Sequence, residues 1–403
     1  MSPQDVNHVL SLSPAIARFG AFIAGSEYAR RAGAAGISDF VAGNPQEMAM
    51  PAYVAALKKW AEPQDKNWFA YKGSEPGARR VVAATLRKMT GLNWDDEDVV
   101  MTKGASTALA MILRTVAGPG DEVIFVSPPW FFYEAMIAGA GATPVRVSID
   151  ATTLDLDLGA IEGAITAKTA AIIVNTPHNP TGKIYPAETL ERLAGVLTAA
   201  SERLGHEIFL VADEAYNRIL FDGNEFVSPS RFYANTLLVY TYGKTLLTPG
   251  MRLGYIGLPP AMPRRADIRL ALRVMAIAGG YGVPDALLQH ALSDLEPLSI
   301  DIPHLQRKRD RMVEALTEIG YELRSPEATF YLMVRSPIED DWAFTKSLAE
   351  HDIFVLPGEL VEMPGHFRIS FTASDAMIDR SLPAFSQVIE AAGGLHLNAT
   401  AGV

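Results

Sequence analysis

The chain has 403 residues, of which 49% are hydrophobic, and it contains no cysteine. A chain of this length can bury a large core, and the length favours two or more domains over one. The formal net charge of −11 argues against an extended surface for nucleic acid or for an anionic membrane, because such surfaces need clustered lysine and arginine. The lack of cysteine excludes disulfides and cysteine-ligated zinc, and it is consistent with a reducing compartment.

The sequence predicts neither a secretory signal nor a membrane span. Its first residues, MSPQDVNHVL, lack a basic region followed by a long apolar run. No uncharged apolar run reaches the roughly 18 residues that a transmembrane helix needs. We therefore expect a cytoplasmic protein that binds neither membranes nor nucleic acid.

Short apolar segments alternate with helix-length segments along the middle of the chain. The apolar segments are EVIFVS (122–127), TPVRVS (143–148), AAIIVN (170–175), EIFLVAD (207–213) and TLLVYT (236–241). Segments with helical spacing that end at glycine cover residues 74–91, 106–120 and 187–205. Strands that are apolar on both faces and separated by helices predict an α/β fold, with a mostly parallel sheet flanked by helices.

The pattern changes after residue 284. A long charged helical segment covers residues 300–320, and apolar segments follow at 328–334 and 366–371. This mixture indicates a smaller α+β domain that is completed by the amino-terminal residues. We predict a large domain at 46–284 and a discontinuous small domain formed by 1–45 and 285–403.

Polar residues that could bind a ligand or take part in a reaction follow several of these strands, where ligand sites of α/β sheets usually lie. In MTKGAS, Gly104 leads into a helix that begins near Ala105 or Ser106, and such a start attracts anions through its N–H groups and its dipole. In VNTPHNPTG, a turn presents Asn179. Each feature alone is also typical of an ordinary helix start or turn.

A further polar pair, Asp213 and Tyr216, leaves an apolar strand in VADEAY. An isolated aspartate at such a position is more often a helix N-cap than a metal ligand. No histidine or carboxylate cluster with ligand spacing lies nearby, so we predict no metal site.

A lysine and an arginine stand together in VYTYGKTLLTPGMRLGYIG (239–257). Lys244 follows an apolar strand, where partial desolvation favours the neutral, nucleophilic amine that Schiff-base chemistry requires. Arg252 offers a planar donor fork that suits phosphate, and Thr241 adds a hydroxyl. This segment predicts a lysine nucleophile beside an anion site.

Taken in order, PHNPTG, DEAY, TYGK, GMRLGY and FRISF resemble the class I and II aminotransferases, pyridoxal-phosphate enzymes of fold type I. The resemblance extends over residues 40–371. It implies pyridoxal 5′-phosphate as cofactor and a ping-pong transfer of the α-amino group of an L-amino acid to a 2-oxo acid.

Other reactions stay open, because the same cofactor site supports several bond cleavages. A carbon–sulfur β-lyase is the first alternative, followed by a decarboxylase or an oxidase. A binding protein that kept the fold without catalysis is a different class of answer. The presence of Lys244, Asp213 and Arg368 favours an enzyme.

The resemblance also implies roles for individual residues. Lys244 would form the Schiff base and transfer protons, while Asp213 would hold the pyridine nitrogen protonated. Asn179 and Tyr216 match residues that hydrogen-bond the 3-oxygen of the ring. Trp130, in SPPWFFYEAM, matches an aromatic residue that stacks on the ring.

The phosphate of the cofactor would lie at the backbone of Ala105 and Ser106, with Thr241 and Arg252 beside it. Tyr71 resembles a tyrosine that reaches the phosphate in the neighbouring subunit. The resemblance therefore implies a homodimer with shared active sites.

The substrate α-carboxylate would be bound by Arg368, with support from Gly43 and Asn179. Some family members that use dicarboxylic acids carry a basic residue in place of Ser106, and others supply an arginine from the partner near residues 275–284; this chain has neither. We therefore expect an enzyme that is not strictly specific for dicarboxylic acids. The apolar residues expected near the entrance, which would favour a neutral, bulky side chain, are Phe19, Phe22, Met48 and Trp68.

Overall fold

The computed structural model describes residues 14–393. Their contacts divide the chain into two compact units, each of which is described by itself. The larger unit comprises Met48–Asn179 and Lys183–Ile300. The smaller unit comprises the other described residues, 14–47, 180–182 and 301–393. Residues 1–13, which include the segment inspected for a secretory signal, lie outside the described residues.

The strands, numbered in chain order, follow the predicted α/β pattern. They are β1 (Ser38–Asp39), β2 (Val99–Thr102), β3 (Glu122–Ser127), β4 (Thr143–Ser148), β5 (Thr169–Asn175), β6 (Phe209–Asp213), β7 (Thr236–Thr241), β8 (Gly254–Gly257), β9 (Tyr331–Arg335), β10 (Ile353–Phe354), β11 (Leu356–Pro357) and β12 (His366–Ser370).

The α-helices are numbered in the same way. They are α1 (Pro14–Gly25), α2 (Glu27–Arg31), α3 (Pro51–Ala61), α4 (Pro76–Thr90), α5 (Ala105–Val116), α6 (Tyr133–Gly139), α7 (Leu158–Ala164), α8 (Ala187–Leu204), α9 (Tyr242–Thr245), α10 (Arg265–Ala278), α11 (Ala286–His290), α12 (Leu292–Leu295), α13 (Ile302–Ile319), α14 (Asp341–Glu350) and α15 (Asp375–Ala391). Short 3-10 helices cover Asp96–Asp98, Pro229–Arg231 and Gly358–Val361.

The larger unit is built on a seven-stranded sheet with the order β2-β8-β7-β6-β5-β3-β4. β8 runs antiparallel to both of its neighbours, and the other pairings are parallel. Hydrophobic clusters on this sheet bury the strands, because helices supply apolar side chains on its faces. The predicted fold class is confirmed.

The bounds of the predicted elements agree closely with the structure. β3, β4 and β7 have the predicted bounds. The helices α4 and α8 are followed by the predicted glycines, Gly91 and Gly205, which are their C-caps and have positive φ angles of 72° and 74°. The helix predicted at 106–120 is shorter: it ends at Val116, because Ala117 is extended and Pro119 follows soon after.

β8 was not predicted, since its sequence GYIG lacks the apolar run of the other strands. The first residue of β8, Gly254, is a glycine because the neighbouring backbone packs closely against it. A Cβ atom on Gly254 would lie 2.4 Å from the carbonyl oxygen of Tyr240 and 2.9 Å from the Cα of Gly104. Gly254 therefore lets β8 lie between β7 and the loop before α5.

The smaller unit contains two small sheets. β11, β12 and β9 form an antiparallel sheet, and β1 pairs with β10 in parallel. The long charged helix predicted at 300–320 is α13, which Asp301 caps by accepting a hydrogen bond from the backbone N–H of His304. This combination of helices and strands agrees with the α+β composition expected for the small domain.

The predicted domain boundary after residue 284 precedes the boundary between the compact units. Residues 285–300 belong to the larger unit, because α11 and α12 contact α3 and α4. The division into two domains stays a prediction.

No helix within residues 14–393 combines the length and the apolar composition needed to cross a membrane.

Candidate active site

Two parallel strands of the larger unit bring predicted site residues together at their carboxyl ends. Asn175 at the end of β5 lies opposite Asp213 at the end of β6. The side-chain amide of Asn175 donates to the backbone oxygen of Asp213 over 2.8 Å, and its Oδ1 accepts a 2.8 Å hydrogen bond from the backbone N–H of Asn179. Asn175 thus connects the turn that contains Asn179 to the backbone of Asp213 through two hydrogen bonds.

Asp213 is almost completely buried and is held by two hydrogen bonds. The phenol of Tyr133 donates to Oδ2 over 2.7 Å, and the backbone N–H of Ala215 donates to Oδ1 over 3.2 Å. Burial raises the pKa of Asp213, whereas these hydrogen bonds and the charge of Lys244 act in the opposite direction. The carboxyl group is therefore in electrostatic contact with the lysine.

Sequence reasoning missed Tyr133. Tyr133 is the first residue of α6 and lies in the same SPPWFFYEAM segment as Trp130. Its position close to that tryptophan is the feature of the sequence that could have identified it as a site residue. The half-buried Trp130 packs edge-on against the Tyr133 ring, with centroids 5.6 Å apart. The structure thus places Trp130 beside the residue that binds Asp213, and its stacking on a cofactor stays a prediction.

Lys244 lies on α9, the short helix that follows β7. Thr241 caps this helix, because its hydroxyl accepts a hydrogen bond from the backbone N–H of Gly243 over 3.4 Å. The amine of Lys244 lies 5.5 Å from the ring centroid of Tyr216, which is itself buried. The expected neighbourhood of lysine, tyrosine and aspartate is therefore present in the larger unit.

A second group of predicted residues forms what we call the phosphate cup: Gly104, Ala105, Ser106, Thr241 and Arg252. Gly104, with a positive φ of 82°, is the N-cap of α5. A Cβ atom there would lie 2.7 Å from Nη2 of Arg252 and 3.4 Å from the hydroxyl of Thr241. The guanidinium, the hydroxyl and the start of α5 therefore converge, and only glycine leaves space between them.

In the smaller unit, Arg368 and Gly43 both contact Tyr331. Arg368, on β12, is buried; its Nη2 donates to the carbonyl of Val41 over 3.1 Å, and its Cζ lies 4.0 Å from the Tyr331 ring centroid. A Cβ atom on Gly43 would lie 2.7 Å from the phenol oxygen of Tyr331. Tyr331 was not predicted, although it belongs to the apolar segment at 328–334.

Several other expectations concern the surface. Tyr71 is fully exposed, as a residue that acts on a neighbouring subunit would be in a single chain. Of the residues expected near the entrance, Met48 is exposed, but Trp68 is buried and stacks on His290 with centroids 3.8 Å apart. Phe22 is also buried. Packing therefore occupies the rings of Trp68 and Phe22.

A possible metal-ligand group lies in the smaller unit and includes none of the predicted site residues. Ligand atoms of Glu47, His304 and Asp375 lie close together. Lys308 forms a 3.0 Å ion pair with Glu47, and His304 lies 3.2 Å from Asp375. These contacts are those of an ordinary polar surface cluster.

The residues of the larger unit fit pyridoxal 5′-phosphate. A guanidinium, a hydroxyl and a helix N-terminus suit its phosphate, and the space that a Cβ on Gly104 would fill is open to an oxygen atom. A buried carboxyl group suits a protonated ring nitrogen, and a nearby lysine suits its aldehyde. A mostly parallel sheet with this arrangement at its carboxyl edge defines a pyridoxal-phosphate enzyme of fold type I.

Comparison with known proteins agrees with this class. The sequence model described as aminotransferase class I and II matches residues 36–385. The aspartate/prephenate aminotransferase of Thermus thermophilus is 31% identical over 362 residues, which cover 86% of this chain and 90% of that protein. The arginine–pyruvate transaminase of Pseudomonas aeruginosa is 30% identical over 308 residues, which cover 72% and 74%.

A solved structure leads to the same family. The amino transferase of Eubacterium rectale superposes with a TM-score of 0.84 at 29% identity, covering 97% of this chain and 96% of that one. The chain belongs to the class I and II aminotransferases. It is accordingly a pyridoxal-phosphate-dependent enzyme that acts on amino and oxo acids.

A second carboxyl group, Glu214, is fully buried next to Asp213. The hydroxyl of Ser228 donates to Glu214 over 2.5 Å, and the amide of Asn217 donates over 3.2 Å. Burial, with a smaller effect of the Asp213 charge, raises the pKa of Glu214 to about 8. At neutral pH, Glu214 is therefore mostly protonated, which spares Asp213 a neighbouring negative charge.

We expect Tyr133→Phe to weaken the hold on Asp213. Loss of the phenol leaves a buried carboxylate oxygen with one donor fewer, which costs about 1–3 kcal/mol in the free energy of unfolding. Because the Tyr133 hydrogen bond lowers the pKa of Asp213, its loss raises that pKa, and the acid limb of the pH–rate profile moves to higher pH. Urea unfolding and kcat/KM between acid and neutral pH measure the two effects.

The matched control for Tyr133 is Tyr233→Phe, which removes a 2.7 Å hydrogen bond to the backbone carbonyl of Ile208 in the same unit. It should lower stability by about 0.5–1.5 kcal/mol and leave the pH–rate profile unchanged. An acid limb that stays in place in Tyr133→Phe would contradict the proposed link to Asp213.

We expect Glu214→Gln to change how stability depends on pH. The unfolded glutamate ionises near pH 4.5, whereas the folded one stays protonated to about pH 8. Unfolding between these values therefore releases a proton, and this group makes stability fall by about 1.4 kcal/mol per pH unit as pH rises. Urea unfolding from pH 5 to 8 should show a flatter dependence for Glu214→Gln than for wild type, and the same dependence as wild type for the exposed Glu202→Gln.

Proposed function

We propose that the enzyme transfers the α-amino group of an L-amino acid to a 2-oxo acid in two half-reactions, in the cytoplasm, with Lys244 as the Schiff-base lysine. The observation that carries this proposal is the meeting of Lys244, Asp213 and the phosphate cup at one edge of the sheet. When bound, pyridoxal 5′-phosphate supplies an aldehyde that takes up the amino group and a ring that accepts electrons.

Each predicted site residue of the larger unit then has a proposed role. The amine of Lys244 removes a proton from the substrate Cα and returns it at a second position, as a general base and acid. Asp213 would hold a proton on the ring nitrogen, and the resulting positive charge would favour the ionised form of the Asp213 carboxyl group. Asn179 and Tyr216 would hydrogen-bond the 3-oxygen of the ring, and Trp130 would stack on its face.

The phosphate cup binds the other end of the cofactor. Ala105 and Ser106 contribute backbone N–H groups at the start of α5, and the helix dipole favours a dianion there. Arg252 and Thr241 complete the contacts with a guanidinium and a hydroxyl. Binding at both ends fixes the ring, so that Lys244 acts on a single bond of the substrate.

Arg368 is proposed to bind the substrate α-carboxylate, with Gly43 in support. A guanidinium matches a planar carboxylate with two parallel hydrogen bonds. Tyr331 helps to hold this guanidinium, since its ring lies 4.0 Å from the Arg368 Cζ. The contact with Gly43 leaves no room for a larger residue there, because a Cβ would lie 2.7 Å from the Tyr331 oxygen.

For the side chain of the substrate, we propose a range that is not limited to dicarboxylic acids. Ser106 supplies no positive charge at the start of α5, and residues 275–284 contain no arginine. The related enzymes carry names with acidic, bulky and basic substrates, namely aspartate/prephenate and arginine. The β-lyase alternative is supported by none of these observations.

A product assay with a Lys244→Ala variant tests the assignment. Wild-type protein should be yellow, and borohydride should fix the cofactor mass on the peptide that contains Lys244. Mixing it with an amino-acid panel and 2-oxoglutarate should yield glutamate and a new 2-oxo acid, identified by mass spectrometry. Lys244→Ala should lose both properties, while Lys168→Ala, at an exposed position, should keep them. A reducible adduct in Lys244→Ala would refute the lysine assignment, and ammonia with pyruvate would indicate a β-lyase.

Arg368→Lys tests the carboxylate contact. Lysine keeps the charge but loses the planar fork, so we expect KM for the amino acid to rise about 10-fold or more. The visible spectrum without substrate should stay that of wild type, because the cofactor contacts are unchanged. An unchanged KM for every amino acid in the panel would show that another group binds the carboxylate.

We further propose that two copies form a homodimer with shared sites. Leu270, Val274 and Ile277 are all exposed and occur along one face of α10. Lys72, which follows the fully exposed Tyr71, lines a cavity of about 420 Å³ together with Ile277. An exposed apolar stripe suits contact with a second copy, which would receive the exposed Tyr71 in its phosphate cup.

Mixed dimers test the sharing of sites. Lys244→Ala and Tyr71→Phe homodimers should each have low activity, but a mixture refolded together should regain activity, since one site then holds both intact residues. If Tyr71 acted within its own subunit, mixing would restore nothing. Sedimentation of Ile277→Glu should show a monomer, whereas Arg203→Glu, at an exposed control position on α8, should stay a dimer.

A further inference from the structure

A largely buried ion pair lies close to the segment that carries Lys244 in the larger unit. Arg218 is largely buried, and its Nη2 forms a 2.6 Å contact with Oε1 of Glu296. Its Nη1 also donates to the backbone oxygen of Glu296 over 3.2 Å. The hydroxyl of Thr85 on α4 donates to the same carboxylate oxygen over 2.7 Å. The Glu296 side chain is therefore fixed from two directions.

The same pair contacts the chain just before Lys244. The Arg218 guanidinium lies 4.7 Å from the ring centroid of Tyr240 and 5.7 Å from that of Tyr242. The phenol of Tyr242 donates to Oε2 of Glu296. Burial and the Glu296 charge raise the pKa of Tyr242 well above its ordinary value, so this phenol stays protonated and remains a donor.

These contacts join two turns that are remote in sequence. Arg218 follows Tyr216 in the DEAYNR segment that begins at Asp213, whereas Tyr242 begins α9, on which Lys244 lies. The residue after Lys244, Thr245, shares a 2.7 Å hydrogen bond with the phenol of Tyr240. Arg218 and Glu296 thus connect the segment of Asp213 with the helix of Lys244.

A buried ion pair is weak evidence for stability, because desolvation offsets most of the attraction between the charges. The ion pair instead fixes the orientation of its neighbours, because a planar guanidinium that contacts two rings and a carboxylate can adopt few geometries. We propose that Arg218 and Glu296 are positioning residues that lock α9 against the Asp213 segment and so orient the Lys244 amine. This inference rests on the proposed role of Lys244.

The test compares Glu296→Gln, Tyr242→Phe and their combination in the holoenzyme. Tyr242→Phe keeps the ring and removes only the hydrogen bond to Glu296, so it remains informative if Glu296→Gln folds poorly. The matched control is Glu97→Gln, which breaks contacts of 2.5 Å with Arg79 and 2.8 Å with Arg273 in the same unit. The measurements are kcat, KM, the pH midpoint of the visible absorbance, the thermal midpoint and hydrogen exchange.

We expect each single variant to lower kcat about 10-fold or more while KM changes little, because a misplaced amine slows proton transfer without affecting carboxylate binding. The absorbance midpoint should shift in both. The double variant should resemble Glu296→Gln, since the two substitutions remove one shared interaction. The Leu246 amide, which donates to the Tyr242 carbonyl over 2.9 Å, should exchange faster. Glu97→Gln should lower only the thermal midpoint.

A Glu296→Gln variant that loses thermal stability but keeps the kcat, absorbance midpoint and Leu246 exchange of wild type would overturn the proposal. Additive effects of the two substitutions would also contradict a shared clamp. Failure of the proposed function is recognised by a separate measurement, because borohydride would then fix no cofactor mass on Lys244 of the wild-type protein. Leu246 exchange would still decide whether Glu296 and Tyr242 hold α9 in place.

Discussion

The burial of Asp213 at the end of β6 is the constraint on which the rest of the site depends. A carboxyl group in the interior needs hydrogen-bond donors and a nearby positive charge, and Tyr133, Ala215 and Lys244 provide them. Each of these partners comes from a different part of the sheet edge. The same carboxyl group thus links the start of α6, through the Tyr133 hydrogen bond, with the charge of Lys244.

The second organising feature is the close approach of backbone at two glycines. Gly254 allows β8 to lie against β7 and Gly104, and Gly104 leaves room between Arg252 and Thr241. Removal of side chains at these points lets a guanidinium and a helix N-terminus face the same small volume. In the proposed function, Asp213 and the phosphate cup bind the two ends of one planar cofactor. The buried Arg218 contacts extend this organisation below the Lys244 helix.

Much of the site could be predicted from sequence, because its residues follow strands with strong apolar patterns. Lys244 and Asp213 were identified by that position, and β7 has the predicted bounds. Tyr133 and Arg218 were missed, because their importance arises from contacts with residues distant in sequence. The same reason explains Glu214, whose raised pKa depends on complete burial that no local pattern reveals.

The sequence by itself determined the fold class and the cofactor family and predicted the residues proposed to bind the cofactor, because hydrophobic period, glycine positions and motif order are local properties. Only the tertiary structure decided which groups meet: Tyr133 with Asp213, Arg252 with Gly104, and Glu296 with Tyr242. It also showed that Trp68 serves packing against His290. Hydrogen bonds and burial depend on distances between remote segments, and such distances are set when the sheet and its helices pack together.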